Sequence, residues 1–372
     1  MLASSETQAP LDNKVDRWIR PEIKVLKAYH VPDPGKLIKL DAMENPYTWP
    51  AFLRGEWLEM LADVNMNRYP DPAANALKAR MREAFDLPEN MSLLLGNGSD
   101  ELIQLIAMAV QGTDRCIMAP EPSFSMYRMI ATFVGMNYVG VPLNDDDFSM
   151  DLPAMLSAIE EHQPAVIFLA YPNNPTGNLF AEADIRAILQ AAPGIVVVDE
   201  AYSPFAETSF MSRLGEYDNL LVMQTVSKMG LAGLRLGLLV GRSAWLDEFD
   251  KLRLPYNINI LTQASAEFAL TYVDVFEEQT AKIRADRAEL IAKLHAFPQI
   301  KVFPSSANFI LLRVPQGTAK AVFDDIKARG ILIKNLDGSS PMLADCLRVT
   351  VGRAEENTQL LRALSAALAA QA

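Results

Sequence analysis

Lys228 is the residue in this chain best placed to act as a nucleophile. It follows two hydroxyl side chains, Thr225 and Ser227, in the stretch TVSKMGLAGLR, whose glycine-broken turn ends in Arg235. The glycines let the backbone close tightly around a bound group. An amine held beside hydroxyl donors and a fixed cation suits Schiff-base formation next to a phosphate. A surface lysine in a glycine-rich loop fits the same pattern, so the prediction depends on the rest of the chain.

Three further polar residues stand at the ends of predicted strands. Asp199 ends the apolar run at 196–198, and Tyr202 follows it three residues later, while Asn174 lies in the turn PNNPTG. A carboxylate in such a place either caps the next element or pairs with a cation. Pyridoxal phosphate offers that cation in its protonated ring nitrogen, and its phenolate oxygen accepts hydrogen bonds. We therefore predict a pyridoxal-phosphate site, with Lys228, Asp199 and Tyr202 as its catalytic residues.

The cofactor's phosphate group requires donors of its own. The turn GNGSD precedes a predicted helix, which we expect Ser99 or Asp100 to cap, and a helix N-terminus binds anions through its free N–H groups. A flat aromatic side chain is expected over the ring, and Phe124 in EPSFSMY is the candidate. The predicted cofactor contacts are Gly98, Ser99, Asp100, Phe124, Asn174, Asp199, Tyr202, Thr225, Ser227, Lys228 and Arg235. Each segment alone has a plainer interpretation as a turn, a cap or a core residue; their occurrence together favours the cofactor.

Strand-like and helical segments alternate through most of the chain. Near-continuous apolar runs that alternate with helices predict an α/β fold, with a mostly parallel seven-stranded sheet covered by helices on both faces. Functional residues then gather at one edge of that sheet. Strands are predicted before GNGSD and at 115–119, 137–143, 165–170, 195–198, 220–224 and 236–240, with helices at 125–133, 152–162 and 181–191.

The pattern changes near residue 260. A long helical region at 262–296 leads into strands at 301–303, 309–314, 331–334 and 347–351 and helices at 318–329 and 354–370, which predict a smaller α+β unit. We predict three parts: an N-terminal arm at 1–44, a large domain at 45–260 and a small C-terminal domain at 261–372. The arm carries one short helix near 21–28 and is expected to pack against the small domain or a partner subunit.

Composition argues against several classes of function. The formal net charge is −12 with a pI of about 4.9, and no basic run is long enough to follow a nucleic acid or an anionic membrane surface. Cys116 and Cys346 lie in apolar runs typical of buried strands, and the three histidines have no metal-ligand spacing. The N-terminus lacks the apolar core of a signal peptide. We therefore expect a cytoplasmic protein without a metal site.

These motifs together resemble the fold-type-I pyridoxal-phosphate-dependent aminotransferases, and within them the chain is similar to the histidinol-phosphate branch. The resemblance runs from about residue 21 to the C-terminus, through DAMENP, NRYP, GNGSDELI, EPSFSMY, PNNPTG, VDEAY, TVSKMGLAGLRLG, SANFILLR and LRVTVGRAEEN. It implies that Lys228 forms the Schiff base, that Asp199 partners the pyridine nitrogen, and that Asn174 and Tyr202 hold the phenolate. It also implies that Tyr69 reaches the cofactor phosphate of a neighbouring subunit, and hence a homodimer with shared active sites.

The resemblance also implies the substrates, L-histidinol phosphate, 2-oxoglutarate and L-glutamate. Arg348 matches the arginine that clamps the substrate anion, and a bidentate arginine suits both a carboxylate and a phosphate ester. The other implied substrate contacts are Tyr29 in the arm, Asn45 and Asn174. The Lys228 to Arg235 spacing is one residue shorter than in many relatives. An aromatic amino-acid aminotransferase, a threonine-phosphate decarboxylase and a non-catalytic regulatory module remain open alternatives.

Overall fold

The computed structural model of the chain describes residues 11–28 and 32–371. Its α-helices are α1 (Leu11–Trp18), α2 (Pro21–Lys24), α3 (Ala51–Ala62), α4 (Asn75–Ala84), α5 (Ser99–Val110), α6 (Met126–Val134), α7 (Leu152–His162), α8 (Glu182–Ala191), α9 (Ser243–Asp250), α10 (Ile260–Thr271), α11 (Val273–Leu294), α12 (Ala319–Ala328) and α13 (Ala354–Ala369). Its strands are β1 (Ile38–Lys39), β2 (Ser92–Gly96), β3 (Cys116–Glu121), β4 (Asn137–Pro142), β5 (Val166–Ala170), β6 (Ile195–Asp199), β7 (Leu220–Thr225), β8 (Gly237–Gly241), β9 (Lys301–Val302), β10 (Phe309–Arg313), β11 (Ile331–Leu332), β12 (Lys334–Asn335) and β13 (Cys346–Thr350).

The large sheet has seven strands in the order β2-β8-β7-β6-β5-β3-β4. Of the seven strands, β8 alone runs opposite to the other six, so the predicted mostly parallel seven-stranded sheet is confirmed. The register sets Ala170 beside Asp199, and Asp199 beside Met223. Because the carboxyl ends of parallel strands meet at one edge, the segments that follow β5, β6 and β7 come together there.

The central strands are buried on both faces, as their continuous apolar sequences require. Successive side chains of a strand point to opposite faces. In β6, Val196 and Val198 join the hydrophobic cluster that contains α4, α7, α8 and α10 side chains. Ile195 and Val197 join the cluster that contains α5, α6 and α9 side chains. Helices therefore cover the sheet on both faces and fix the position of its carboxyl edge.

A second, four-stranded antiparallel sheet has the order β12-β13-β10-β9. It shares a third hydrophobic cluster with side chains of α12, α13 and the second half of α11. The short strand β1 pairs in parallel with β11, so this end of the predicted arm contacts the C-terminal region of the same chain. The division of the chain at residues 44 and 260 stays a prediction.

Several predicted boundaries were wrong. The helical region at 262–296 is two helices, because Tyr272 leaves the helical conformation with φ −114° and ψ 38°. The strand at 331–334 is also divided: β11 pairs with β1, whereas β12 pairs with β13. The arm helix at 21–28 is only the four residues of α2, and the helices α1 and α9 were not predicted. Among the described residues, none of the helices is both long and apolar enough to cross a membrane.

Candidate active site

A cavity of about 270 Å³ opens at the carboxyl edge of the large sheet, where the second sheet faces it. Its size is close to the lower end of small-molecule sites, which span roughly 300–1,000 Å³. It brings together residues predicted from segments far apart in the sequence. Those that line it are Ser99, Asp100, Phe124, Asn174, Asp199, Tyr202, Thr225, Ser227, Lys228, Arg235 and Arg348.

Asp199 is the buried carboxylate at the floor of this cavity and is 4% exposed. Its Oδ1 accepts a hydrogen bond from the Ala201 N–H at 3.1 Å, and its Oδ2 accepts one from the Tyr127 hydroxyl at 2.6 Å. Burial raises the pKa of Asp199 to about 6, although both hydrogen bonds act in the opposite direction. A cation placed against this carboxylate would stabilise its charged form.

Lys228 lines the same cavity and is half-buried. Burial first, and then the positive charge of Arg348, lower the pKa of Lys228 to about 8. Its Nζ lies 3.4 Å from the Ala42 carbonyl oxygen and 5.7 Å from the centroid of the Tyr202 ring. A lowered pKa makes the neutral, nucleophilic amine available nearer to neutral pH than in a free lysine.

The turn that carries Lys228 is fixed from both sides. The Thr225 Oγ1 lies 2.9 Å from the Leu236 carbonyl oxygen and 2.9 Å from the Ser227 Oγ. A carbonyl oxygen only accepts, so the Thr225 hydroxyl donates to Leu236 and receives the Ser227 proton. The conformation at Gly230, with φ 131°, is one that side chains rarely allow.

Asn45, for which the resemblance implied a substrate contact, is not among the residues that line the cavity. Its Nδ2 donates to the Met229 carbonyl oxygen at 2.8 Å and to the Gln279 Oε1 at 3.0 Å. Its Oδ1 accepts from the Tyr47 N–H at 2.8 Å. Because both ends of the amide are hydrogen-bonded, Asn45 holds the Lys228 turn in this structure, and its contact with a substrate stays a prediction.

The helix predicted to bind the cofactor phosphate is α5, and its N-terminal cap differs from the prediction. Neither Ser99 nor Asp100 caps α5; the N-cap is Gly98, with φ 84°, and the two predicted residues lie in the first helical turn. A Cβ at Gly98 would lie 2.8 Å from the Arg235 Nη2, so glycine is what lets this guanidinium approach. Arg235 also lies 3.7 Å from the Asp100 carboxylate. Free N–H groups and a cation at a helix N-terminus form an anion site.

Arg348 stands at the other end of the cavity and is 7% exposed. Its Nη1 donates to the Asn174 Oδ1 at 2.6 Å and its Nη2 to the Asp41 carbonyl oxygen at 3.1 Å. The Asn174 Nδ2 in turn donates to the Tyr202 hydroxyl at 3.0 Å. This chain of hydrogen bonds connects the predicted anion clamp with the predicted phenolate donors.

Lys334 and Tyr127 were not predicted as functional residues, although the structure places both at the site. Lys334 lines the cavity and pairs with Arg348 across β12 and β13. The sequence feature that could have identified Lys334 is a charged residue at the end of the apolar run 331–333, the same pattern that identified Asp199. Tyr127, which binds Asp199, follows Phe124 by three residues, a spacing that places two side chains on one face of a helical turn.

Two predicted residues lie elsewhere. Tyr69 does not line the cavity of its own chain; it is 78% exposed, and its ring stacks on Tyr256 with centroids 4.4 Å apart. Tyr29 lies outside the described residues. In the part of the chain that the structure describes, no group of three or more His, Cys, Asp or Glu side chains is arranged to hold a metal ion.

Comparison with known proteins gives one consistent family. Residues 36–364 match the family described as aminotransferase class I and II. The chain is 58% identical over 354 residues to histidinol-phosphate aminotransferase 2 of Nitrosococcus oceani, covering 95% of this chain and 98% of that relative. It is 52% identical to histidinol-phosphate aminotransferase 1 of Ralstonia nicotianae, covering 99% of both chains. The crystal structure of histidinol-phosphate aminotransferase from Sinorhizobium meliloti with pyridoxal-5'-phosphate superposes with a TM-score of 0.84 at 24% identity, covering 95% of this chain and 98% of that one.

Proposed function

Since the chain belongs to the class I and II aminotransferases, we propose that it transfers an amino group between L-histidinol phosphate and 2-oxoglutarate, with pyridoxal 5'-phosphate as cofactor. The products are imidazole acetol phosphate and L-glutamate, and the reaction belongs to histidine biosynthesis. The observation that carries the proposal is one cavity that joins Lys228 and Asp199 to two cations, Arg348 and Lys334. A cytoplasmic location stays a prediction.

The residues of the cavity fit this cofactor. The buried Asp199 suits the ring nitrogen, the paired amide and hydroxyl of Asn174 and Tyr202 suit the phenolate oxygen, and Phe124 suits a ring face. The first turn of α5 and Arg235 suit the phosphate. When bound, pyridoxal phosphate stores the electron pair that the substrate Cα retains after it loses its proton.

Lys228 has two tasks in this proposal. With pyridoxal phosphate bound, its Nζ would hold the cofactor covalently until the amino substrate takes its place. The freed amine would then act as a general acid–base that takes the proton from the substrate Cα and later gives it back. The lowered pKa of about 8 suits an amine that must accept and donate a proton near neutral pH. Asp199 would supply the negative charge beside the ring nitrogen.

The substrate end of the cavity suits an anion. Arg348 presents a planar guanidinium, which forms two parallel bonds to a carboxylate or a phosphate. Lys334, opposite it in the strand pairing, adds a second positive charge. A phosphate ester carries more negative charge than a carboxylate, so two cations favour a phosphorylated amine over phenylalanine.

The substrate assignment is tested by half-reactions of the purified, cofactor-loaded enzyme. We expect the visible band of the Lys228-bound cofactor to disappear at least about tenfold faster with L-histidinol phosphate than with phenylalanine, a difference of roughly 1.4 kcal/mol. Equal rates would leave an aminotransferase with a different substrate. Release of carbon dioxide from threonine phosphate would identify a decarboxylase instead. If histidinol phosphate leaves the band unchanged, the assignment of histidinol phosphate as the amino substrate is wrong.

We also propose a homodimer in which Tyr69 completes the partner's cofactor phosphate site. Tyr69 is exposed in the single chain, and the apolar side chains of Met66, Leu254 and Tyr256 are exposed with it. An exposed apolar surface of this kind marks a protein contact. In that contact Tyr69 faces another subunit, whereas it does not line the cavity of its own chain.

A mixed dimer tests the shared site. Lys228→Ala and Tyr69→Ala chains are each expected to be nearly inactive, but their heterodimer contains one site with both residues intact. We therefore expect activity to return when the two inactive variants are mixed or coexpressed. Sedimentation should give twice the chain mass of 41.1 kDa. A monomer, or a heterodimer without recovered activity, would contradict the shared site.

A further inference from the structure

Tyr127 is completely buried beside the carboxylate that we assign to the cofactor ring. Its hydroxyl lies 2.6 Å from the Asp199 Oδ2, a distance typical of strong hydrogen bonds to a charged acceptor. Burial and the charge of Asp199 both raise the pKa of Tyr127, so the phenol keeps its proton and donates a hydrogen bond to the carboxylate. Tyr127 therefore donates a hydrogen bond to the Asp199 Oδ2, whereas the backbone N–H of Ala201 donates to the Oδ1.

The ring of Tyr127 is fixed by two aromatic contacts. It stacks on Phe168 with centroids 4.8 Å apart and planes 9° apart. Phe124, the residue proposed to cover the cofactor ring, meets it edge-on at 5.6 Å and 86°. Tyr127 thus contacts both Asp199 and Phe124, the two residues proposed to contact the cofactor ring.

The other charges near Asp199 do not favour its ionised form. The charge of Asp100 on α5 raises the pKa of Asp199, and burial raises it most. Glu200, the next residue, is itself buried, and its pKa is raised in part by Asp199. Within the described chain, the groups that lower the Asp199 pKa are the Tyr127 hydroxyl and the Ala201 N–H. Of these two, only Tyr127 is a side chain that a substitution can remove.

We propose that Tyr127 is a positioning residue for the reaction, whose hydroxyl keeps Asp199 ionised and turned toward the pyridine nitrogen. The inference rests on the role proposed for Asp199. Without this donor the negative carboxylate loses stabilisation, and the proton between ring nitrogen and carboxylate shifts toward the carboxylate. Tyr127 then acts on the cofactor through Asp199, without touching the substrate.

Tyr127→Phe removes the hydroxyl and keeps the ring contacts. In holoenzyme loaded with cofactor labelled at the ring nitrogen, we expect ¹⁵N NMR to show that nitrogen losing its proton about one pH unit or more lower than in wild type. The cofactor should also bind about tenfold or more weakly, as expected for a lost hydrogen bond to a charged group. A fluorinated tyrosine at position 127, a stronger donor, should shift the titration the other way. This second substitution keeps the test valid even if the phenylalanine variant folds poorly.

Tyr138→Phe is the matched control. Tyr138 also interacts with a carboxylate, that of Glu121, but it is not among the groups that act on the pKa of Asp199. Its removal should leave the nitrogen titration unchanged. In an Asp199→Asn background, Tyr127→Phe should have no further effect on the titration.

Asp199→Asn separates this inference from the function on which it rests. If Asp199→Asn removes the nitrogen's proton while Tyr127→Phe titrates like wild type, the role of Tyr127 is wrong and the proposed function stands. If Asp199→Asn itself leaves the titration unchanged, the assignment of Asp199 fails, and the inference fails with it. A shift with Tyr138→Phe as large as that with Tyr127→Phe would show a merely structural effect and overturn the inference.

Discussion

Replacing Lys228 with alanine is expected to lower the rate of transamination by more than roughly 10⁴-fold, the upper end of what general acid–base catalysis contributes. The variant loses both the covalent attachment of the cofactor and the base that moves the Cα proton. Lys334 also lines the cavity, but it stands beside Arg348 at the substrate end and is not placed to replace Lys228. The measurement is single-turnover kinetics with L-histidinol phosphate, together with the visible spectrum of the cofactor.

Lys228→Arg is the matched variant, because it keeps a positive charge but cannot form the covalent bond. We expect it to be as inactive as the alanine variant, whereas both should still bind pyridoxal phosphate non-covalently in equilibrium dialysis. Turnover near the wild-type rate in either variant would contradict the assignment of Lys228. Loss of all cofactor binding would instead indicate that the variants do not form the site.

Much of the site follows from the sequence because of one property of parallel sheets. Asn174, Asp199 and Thr225 are far apart along the chain, yet each follows or ends a strand whose apolar residues are visible in the sequence. Parallel strands end at a common edge, so their terminal polar residues meet without any knowledge of the register. Lys228 joins them because its turn directly follows β7.

The rest of the site depends on contacts that strand ends do not reveal. The phenol of Tyr127 meets Asp199 across 72 residues, and only the packing of α6 on the sheet brings them together. Asn45 belongs to a matching motif, but its amide turns away to hold Met229 and Gln279. At the start of α5, a glycine with positive φ takes the place expected for a capping side chain. The positive φ at Gly98, which favours glycine, therefore determines which residue stands at the N-cap of α5.

In the fold, too, some features follow from the sequence pattern and others depend on tertiary contacts. Alternating apolar and helical segments were enough to find the strands of the large sheet, since central strands such as β5 and β6 are continuously buried. The same pattern did not predict the break within residues 331–334, because the two parts of that segment join different sheets. Likewise, Tyr272 separates α10 from α11 although the sequence on both sides favours a helix. Pairing partners and single backbone angles are set by tertiary packing, which overrides local propensity.

Replacing Arg348 with lysine is expected to lower kcat/KM for both L-histidinol phosphate and L-glutamate by roughly 10²- to 10³-fold, within the 2–5 kcal/mol typical of a disrupted buried charge contact. Lysine keeps the charge but cannot form two parallel bonds to an anion. It also cannot reproduce the bonds to Asn174 and Asp41, so the phenolate donors lose their support. Steady-state kinetics with each substrate in turn measures the loss.

Arg313→Lys is the control for this substitution. Arg313 lies on β10, which pairs with the strand that carries Arg348, and it donates to the Met342 carbonyl oxygen, but it does not line the cavity. The control should therefore keep kcat/KM within about threefold of wild type. If Arg348→Lys behaves like this control with both substrates, Arg348 is not the anion clamp. If only the value for histidinol phosphate falls, the glutamate carboxylate must be bound elsewhere, and Lys334 is then the next residue to replace.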